Sequence, residues 1–221
     1  MSKLICSLLV GACLAAGSYG QISKANGGYL FRIKYFPGEV LRFETLSTVD
    51  NVGNASKGVV VKVPMMMNVR SIAKGIASVD LTMGVGKLGS AVVSEAQTVR
   101  IQLDDKDSSK FGGVSVPLKP VKIGSTWTAT RPVTLGGQMK PLEAVYRFAG
   151  LKTVNGTDVA VITYSLKGVA NGSGTMMLLV KDASLYSNEM LISVPGMNNI
   201  ARLKTVMRRL PEKPVGHKKS H

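Results

Sequence analysis

Apolar residues recur at every second position through most of this sequence, a period that fits extended strands and little else. Val59, Val61, Val63, Met65, Met67 and Val69 form one alternating row, which places them on a single face of a β-strand. Tyr29, Phe31, Ile33 and Tyr35 repeat the pattern, with Arg32 and Lys34 opposite. Val40 to Ser47, Ile76 to Met83 and residues 92–103, 125–133, 142–151, 158–167, 174–182 and 184–194 read as further strands. The connections carry turn chemistry. Phe36-Pro37-Gly38-Glu39 is a turn, Asp50 to Lys57 a polar loop, and Asn155-Gly156 a hairpin signal because both residues accept positive φ. Pro64 lacks an N–H, so it argues for an edge strand or a bulge within the long row. Residues 200–210 fit a helical face through Ile200, Leu203, Met207 and Leu210, or a strand through Ala201, Leu203, Thr205 and Met207. Following a β run, they are expected as a last strand. About ten strands without a convincing long helix predict an all-β domain, an antiparallel curved sheet or open barrel.

The first twenty residues read separately, as a secretory leader. Lys3 supplies its charge, Leu4 to Ala16 an apolar stretch, and Ser18 and Gly20 the small residues before a cleavage site at Gln21. The apolar run is short for a membrane span. A lipoprotein signal is the alternative, because Val10-Gly11-Ala12-Cys13 is similar to a lipobox and would make Cys13 a lipid anchor. Cys6 and Cys13 both lie in this leader, so the mature domain, residues 21–210, has no disulfide, thiolate metal site or cysteine nucleophile. Export places it in the periplasm or outside the cell. The net charge of +15 favours anionic partners. Residues 202–221 carry seven of the basic side chains and one acid, and 211–221 reads as a disordered basic tail. Export and few aromatics count against nucleic acid.

Two similar halves are also expected, at 28–104 and 120–203. A strand start at Gly38-Glu39-Val40 is matched 86 residues later by Gly124-Ser125-Thr126. Pro37-Gly38-Glu39, Gly124-Ser125-Thr126-Trp127 and Asp158-Val159-Ala160-Val161 together resemble uncharacterised exported all-β proteins of the bacterial envelope, over residues 28–210. More distantly, the architecture is similar to the curved-sheet lipoprotein and lipid carriers of that compartment. The first resemblance implies no activity; the second is one of fold alone.

Motifs for chemistry fail on their surroundings. Gly84-Val85-Gly86-Lys87-Leu88-Gly89 matches G-x-G-x-x-G but leads into a Val- and Thr-rich segment, not a helix, and reads as a flexible β-turn. His217 and His221 lie in the tail, away from any nucleophile they would serve. Asp104, Asp105 and Asp107 read as a solvated turn, not a calcium loop. No catalytic residue, cofactor or metal ligand is therefore assigned.

The residues that remain suggest binding. Met65-Met66-Met67 and Met176-Met177 make both faces of their strands apolar, and methionine suits adaptable contact with lipid chains. Met66, Met176 and Leu178 are accordingly the candidate contacts for an apolar or amphipathic ligand. Lys213, Lys218 and Lys219 are candidate contacts for an anionic membrane or polysaccharide. The functional expectation is a non-enzymatic envelope protein that binds a lipid or other amphipathic ligand, or, alternatively, a structural or adhesive module on anionic surface polymers. Trp127, the one tryptophan, is expected to be substantially buried. The intact mass of exported protein should correspond to a chain starting at Gln21; a diacylated species starting at Cys13 would overturn the cleaved, soluble form.

Overall fold

In a computed structural model of the chain, alternation becomes pairing. The structure describes residues 22–32, 35–50, 59–74, 76–88, 90–104, 117, 119–135, 138–168, 170–193 and 202–211. These form fourteen strands and no helix: β1 Ile22–Ala25, β2 Gly28–Phe31, β3 Val40–Asp50, β4 Val59–Ala73, β5 Ile76–Met83, β6 Gly86–Leu88 and β7 Ala91–Ser94, followed by β8 Gln97–Asp104, β9 Thr126–Leu135, β10 Gln138–Val154, β11 Thr157–Gly168, β12 Asn171–Leu179, β13 Leu185–Ser193 and β14 Arg202–Arg209. β1 and β2 make a separate hairpin, and the other twelve form one antiparallel sheet. Pairing runs β8-β5-β4-β3-β14-β13-β12-β11-β10-β9, with the small β6–β7 hairpin attached to β4. Among the described residues the sheet does not close, because β8 and β9 end the path.

Within this sheet one hydrogen-bond pattern is built twice. At the first start the Gly38 N–H donates to the Val69 carbonyl, Val69 to Glu39, and Glu39 to Phe36. At the second the Gly124 N–H donates to Phe148, Phe148 to Ser125, and Ser125 to Lys122. A side chain closes each turn, since Glu39 Oε2 accepts the Phe36 N–H and Ser125 Oγ accepts that of Lys122. Gly38 and Gly124 both take left-handed φ, 80° and 88°, which only glycine adopts readily. Register agrees as well. Leu41 faces Met67 and Trp127 faces Tyr146; Val69 faces Val79 and Phe148 faces Ile162; Val79 faces Ile101 and Ile162 faces Met176. Each long strand then bulges at the same point, between Val69 and Ser71 and between Phe148 and Gly150.

Cross-strand partners share a face, so register divides the sheet into a packed face and an open face. The packed face carries two apolar clusters. One holds Phe148, Ile162, Tyr164, Met176 and Leu178; the other holds Leu41, Phe43, Met67, Val69 and Val79. Leu185 packs against both. The β1–β2 hairpin caps the first cluster with Ile22 and Phe31, and the Phe148 ring meets Tyr29 and Phe31 edge-on at 5.3 and 5.2 Å. Backbone bonds hold the cap: the Ile22 N–H donates to Val180 and the Tyr29 N–H to Val121. Tyr164 donates to Asn188 Oδ1 at 2.8 Å, which satisfies two polar groups within the packed face. Gly174 makes that bond possible, because a Cβ there would lie 2.3 Å from the Tyr164 ring.

Several strand expectations need correction. The first strand spans Gly28–Phe31 and does not continue to Tyr35; Asn26-Gly27 turns it back on β1 with φ of 44° and 77°. Residues 92–103 are two strands, β7 and β8. The Gly84–Gly89 turn contains strand β6, while Gly89 lies outside the described residues. Pro64 sits in a central strand, paired to Glu44 of β3. On its other side β4 changes partner from β5 to β6, and there the Gly84 N–H donates to the Pro64 carbonyl. A residue's N and O point to the same side of a strand, so the missing N–H falls where the ladder is already interrupted. Gly84 is needed for this approach: a Cβ would stand 2.7 Å from the proline Cγ. Trp127 is half-buried, stacked on the buried Tyr146 at 5.6 Å. Residues 202–209 form the last strand.

Phe148→Ala empties a fully buried position and should cost about 3–5 kcal/mol in urea unfolding. Gly174→Ala should cost about 1–3 kcal/mol through overpacking and should cost less when Tyr164→Leu removes the ring carbon and hydroxyl it meets. A Gly174→Ala protein as stable as wild type would mean that Tyr164 does not lie across the glycine.

Candidate functional site

Adjacent methionines on β12 point to opposite faces, and that separates core from site. Met176 and Leu178 are buried in the first cluster on the packed face. Met66 lies half-buried on the open face of β4, between Arg42 and Thr82. The structure therefore brings Met176 and Leu178 together and leaves Met66 apart from them. Lys213, Lys218 and Lys219 lie outside the described residues.

Met177 opens onto a different feature. On the open face a cavity of about 580 Å³ spans β12, β13 and β14, with the tip of the β10–β11 hairpin as its wall. Its volume lies within the ordinary range for small-molecule pockets. Thr175 and Met177 come from β12, Ser187 and Glu189 from β13, Val206 and Arg208 from β14, and Val154 and Asn155 from the hairpin tip. Register explains the gathering: Met177 faces Ser187, which faces Arg208, and Thr175 faces Glu189, which faces Val206. A bulge between Met177 and Leu178 adds Tyr186 to the rim. A second hollow of about 280 Å³ shares Thr175 and Glu189 and continues along the same strands toward Leu191 and Lys204.

The charges around this cavity are unequally engaged. Glu189 pairs with Lys204 at 2.7 Å. Arg209 reaches across to the β12–β13 turn, where its Nη1 donates to Ser184 Oγ and stands 3.7 Å from Asp182. Arg208 is exposed and has no side-chain hydrogen bond or ion pair among the described residues. Its partner across β3 is Glu44, but the Glu44 carboxylate is held by Lys62 of β4. The cavity thus presents apolar side chains (Val154, Met177, Val206) interleaved with hydroxyls from Thr175 and Ser187, and one unengaged guanidinium.

A second charged group lies at the other end of the open face. Asp80 on β5 accepts from Arg100 Nε and Arg70 Nε, both at 2.7 Å. These bonds, that from Arg100 foremost, hold the carboxyl down to about 2 against the usual carboxylate range. The group ties three strands, one carboxylate shared by two guanidiniums, and it opens on no described cavity. Elsewhere, burial and then the charge of Glu39 push the Tyr35 hydroxyl above its ordinary range. Among the described residues no three His, Cys, Asp or Glu side chains gather as metal ligands would.

Sequence reasoning singled out Met176, which the structure places in the core, while its neighbour Met177 lines the cavity. The alternation that sends Met176 inward sends Met177 outward, but nothing local marks Thr175, Ser187, Val206 and Arg208 as companions. They meet only through pairing of β12, β13 and β14.

No family model matches the chain, and no curated protein does either. Among solved structures, a protein of Bacteroides fragilis described as exported and of YmcC-like fold covers 88% of this chain and 100% of its own, at 7% identity and a TM-score of 0.35. A LolA superfamily protein from Nitrosomonas europaea covers 81% of this chain and 89% of its own, at 12% identity and a TM-score of 0.18. Neither likeness bears on function at these values.

An Asp whose folded pKa is depressed stabilises the fold above its unfolded pKa of about 3.9, and that contribution disappears as pH falls toward the folded value. Asp80→Asn should therefore melt below wild type at pH 5, and the gap should shrink as pH falls from 4 toward 2. A gap independent of pH over that window would mean that the two arginines do not hold the carboxylate charged.

Proposed function

We propose that this chain is an exported, non-enzymatic protein that binds an amphipathic ligand in the open-face cavity. The observation that carries the reading is the mixed lining of that one cavity, where the apolar side chains of Val154, Met177 and Val206 alternate with the polar groups of Thr175, Ser187 and Arg208. A ligand with a tail and a head satisfies both kinds of group; a wholly polar ligand leaves the apolar side chains without contact, and a hydrocarbon leaves the polar groups unmatched. The charged groups available suit holding more than reaction. Guanidinium groups donate hydrogen bonds and keep their protons at physiological pH, while the carboxylate of Glu189 is engaged by Lys204. The leader expected at residues 1–20 supports export, and an envelope or extracellular protein meets amphiphiles there.

The reading is tested with 11-(dansylamino)undecanoic acid, whose fluorescence rises on entering an apolar site. Wild type should bind it saturably. Val206→Trp fills the cavity from an exposed face of the sheet and should weaken binding by about tenfold or more, equivalent to about 1.4 kcal/mol, with an unchanged melting temperature. Met176→Leu, on the packed face, should leave the affinity unaltered. Absence of saturable binding, or equal binding by Val206→Trp, would overturn the reading.

A further inference from the structure

Resting on that reading, we infer that the ligand head is a single negative charge, a carboxylate on an aliphatic chain, seated on Arg208, and that the Lys62–Glu44 ion pair keeps this seat available. Three observations on neighbouring strands converge. Arg208 is the charged side chain at the cavity whose guanidinium is unengaged among the described residues, since Arg209 is committed to Ser184 and Asp182 and Glu189 to Lys204. Its direct partner in register, Glu44, would neutralise it in an undisturbed antiparallel pair. Lys62 draws that carboxylate to the far side of β3. The ion pair therefore acts at a distance of one strand: Lys62 is a positioning residue that leaves Arg208 facing the cavity.

The apolar part of the site sets the rest of the ligand. Met177 lies two cross-strand steps from Arg208, across Ser187, and Val206 lies beside Arg208 on the same strand face, so a chain attached to a head on Arg208 has apolar contacts within reach. Thr175 and Glu189 continue into the second hollow, which extends the path along β12 and β13 toward Leu191. A guanidinium fork matches two carboxylate oxygens in its plane. One such group selects one negative charge.

Charge preference is read by titrating each protein with the dansyl undecanoic acid and with its primary amide, which has the same tail and a neutral head. Wild type should favour the acid by about tenfold or more, and Arg208→Gln should bind acid and amide alike. Lys62→Gln, which touches no cavity atom, should lower affinity for the acid several-fold as Glu44 turns to Arg208. Glu44→Gln should leave it equal or raise it. All four proteins should bind the amide equally, which controls for folding. A wild type that binds both heads equally, with Val206→Trp defective for both, would overturn this inference and leave the amphipathic site standing. Failure of both heads to bind would remove the site itself. An Arg208→Gln protein that keeps the preference overturns the seat, and a Lys62→Gln protein that binds the acid as wild type does overturns the role of the ion pair. Acetate should not compete at concentrations that saturate the acid probe; effective competition would mean that the head alone is recognised and the tail path is wrong.

Discussion

Everything in this sheet depends on one ladder, the pairing of β14 with β3. A run of four strands, β8-β5-β4-β3, and a run of six, β14 to β9, meet at this ladder. The path between the runs passes only through β3 and β14, among the described residues. Residues 158 apart in sequence meet there, as in the bond between Ser47 and Thr205. Closing so long a loop is costly in chain entropy and repays only when many contacts form together. Eight register pairs supply them, from Arg202–Asp50 to Arg209–Phe43. The two apolar clusters would otherwise be neighbours along a string. Leu185, in contact with both, belongs to a continuous structure only while this ladder holds.

The same ladder assembles the cavity. Arg208 and Val206 belong to β14, so the strand that joins the halves also brings the positive group to Met177 and Ser187. Arg209, next in sequence, also borders the cavity but spends its guanidinium on Ser184 and Asp182, which ties the strand end. Adjacent residues thus carry two duties, anchoring at Arg209 and lining the cavity at Arg208. Period two makes a comparable division on β12, where Met176 fills the core and Met177 faces the cavity. Ion pairs on the open face then decide which charges are spent: Glu189 on Lys204 and Glu44 on Lys62.

How much of this could be seen in the sequence differed by level. Class and strand positions were legible, because period two is a local signal and the fold is nearly all strand. The Asn155-Gly156 hairpin was legible for the same reason. An equivalent signal, Asn26-Gly27, stood in plain view and was passed over in favour of the aromatic alternation from Tyr29 to Tyr35, so the capping hairpin was missed. Residues 200–210 carried both periods, and only the long-range ladder to β3 decides between them. Pro64 was read correctly for its chemistry and wrongly for its place, since a central strand can change partner along its length. The site lay further from reach. Methionine runs drew attention to β12, but which of two adjacent methionines meets a ligand depends on where the other face is covered, and Arg208 differs from other basic residues only through partners on β3, β4 and β13.

The dependence on β14 also governs when this protein can exist as a folded object. The strand that joins the halves is the last one described, and β3, its partner, is among the first to be synthesised. While the ribosome is still producing residues 190–200, β3 lacks the neighbour on one side that its final place requires. A nascent chain of this design stays without its unifying contact until β14 has emerged, so the order of the strands itself delays the joining of the sheet.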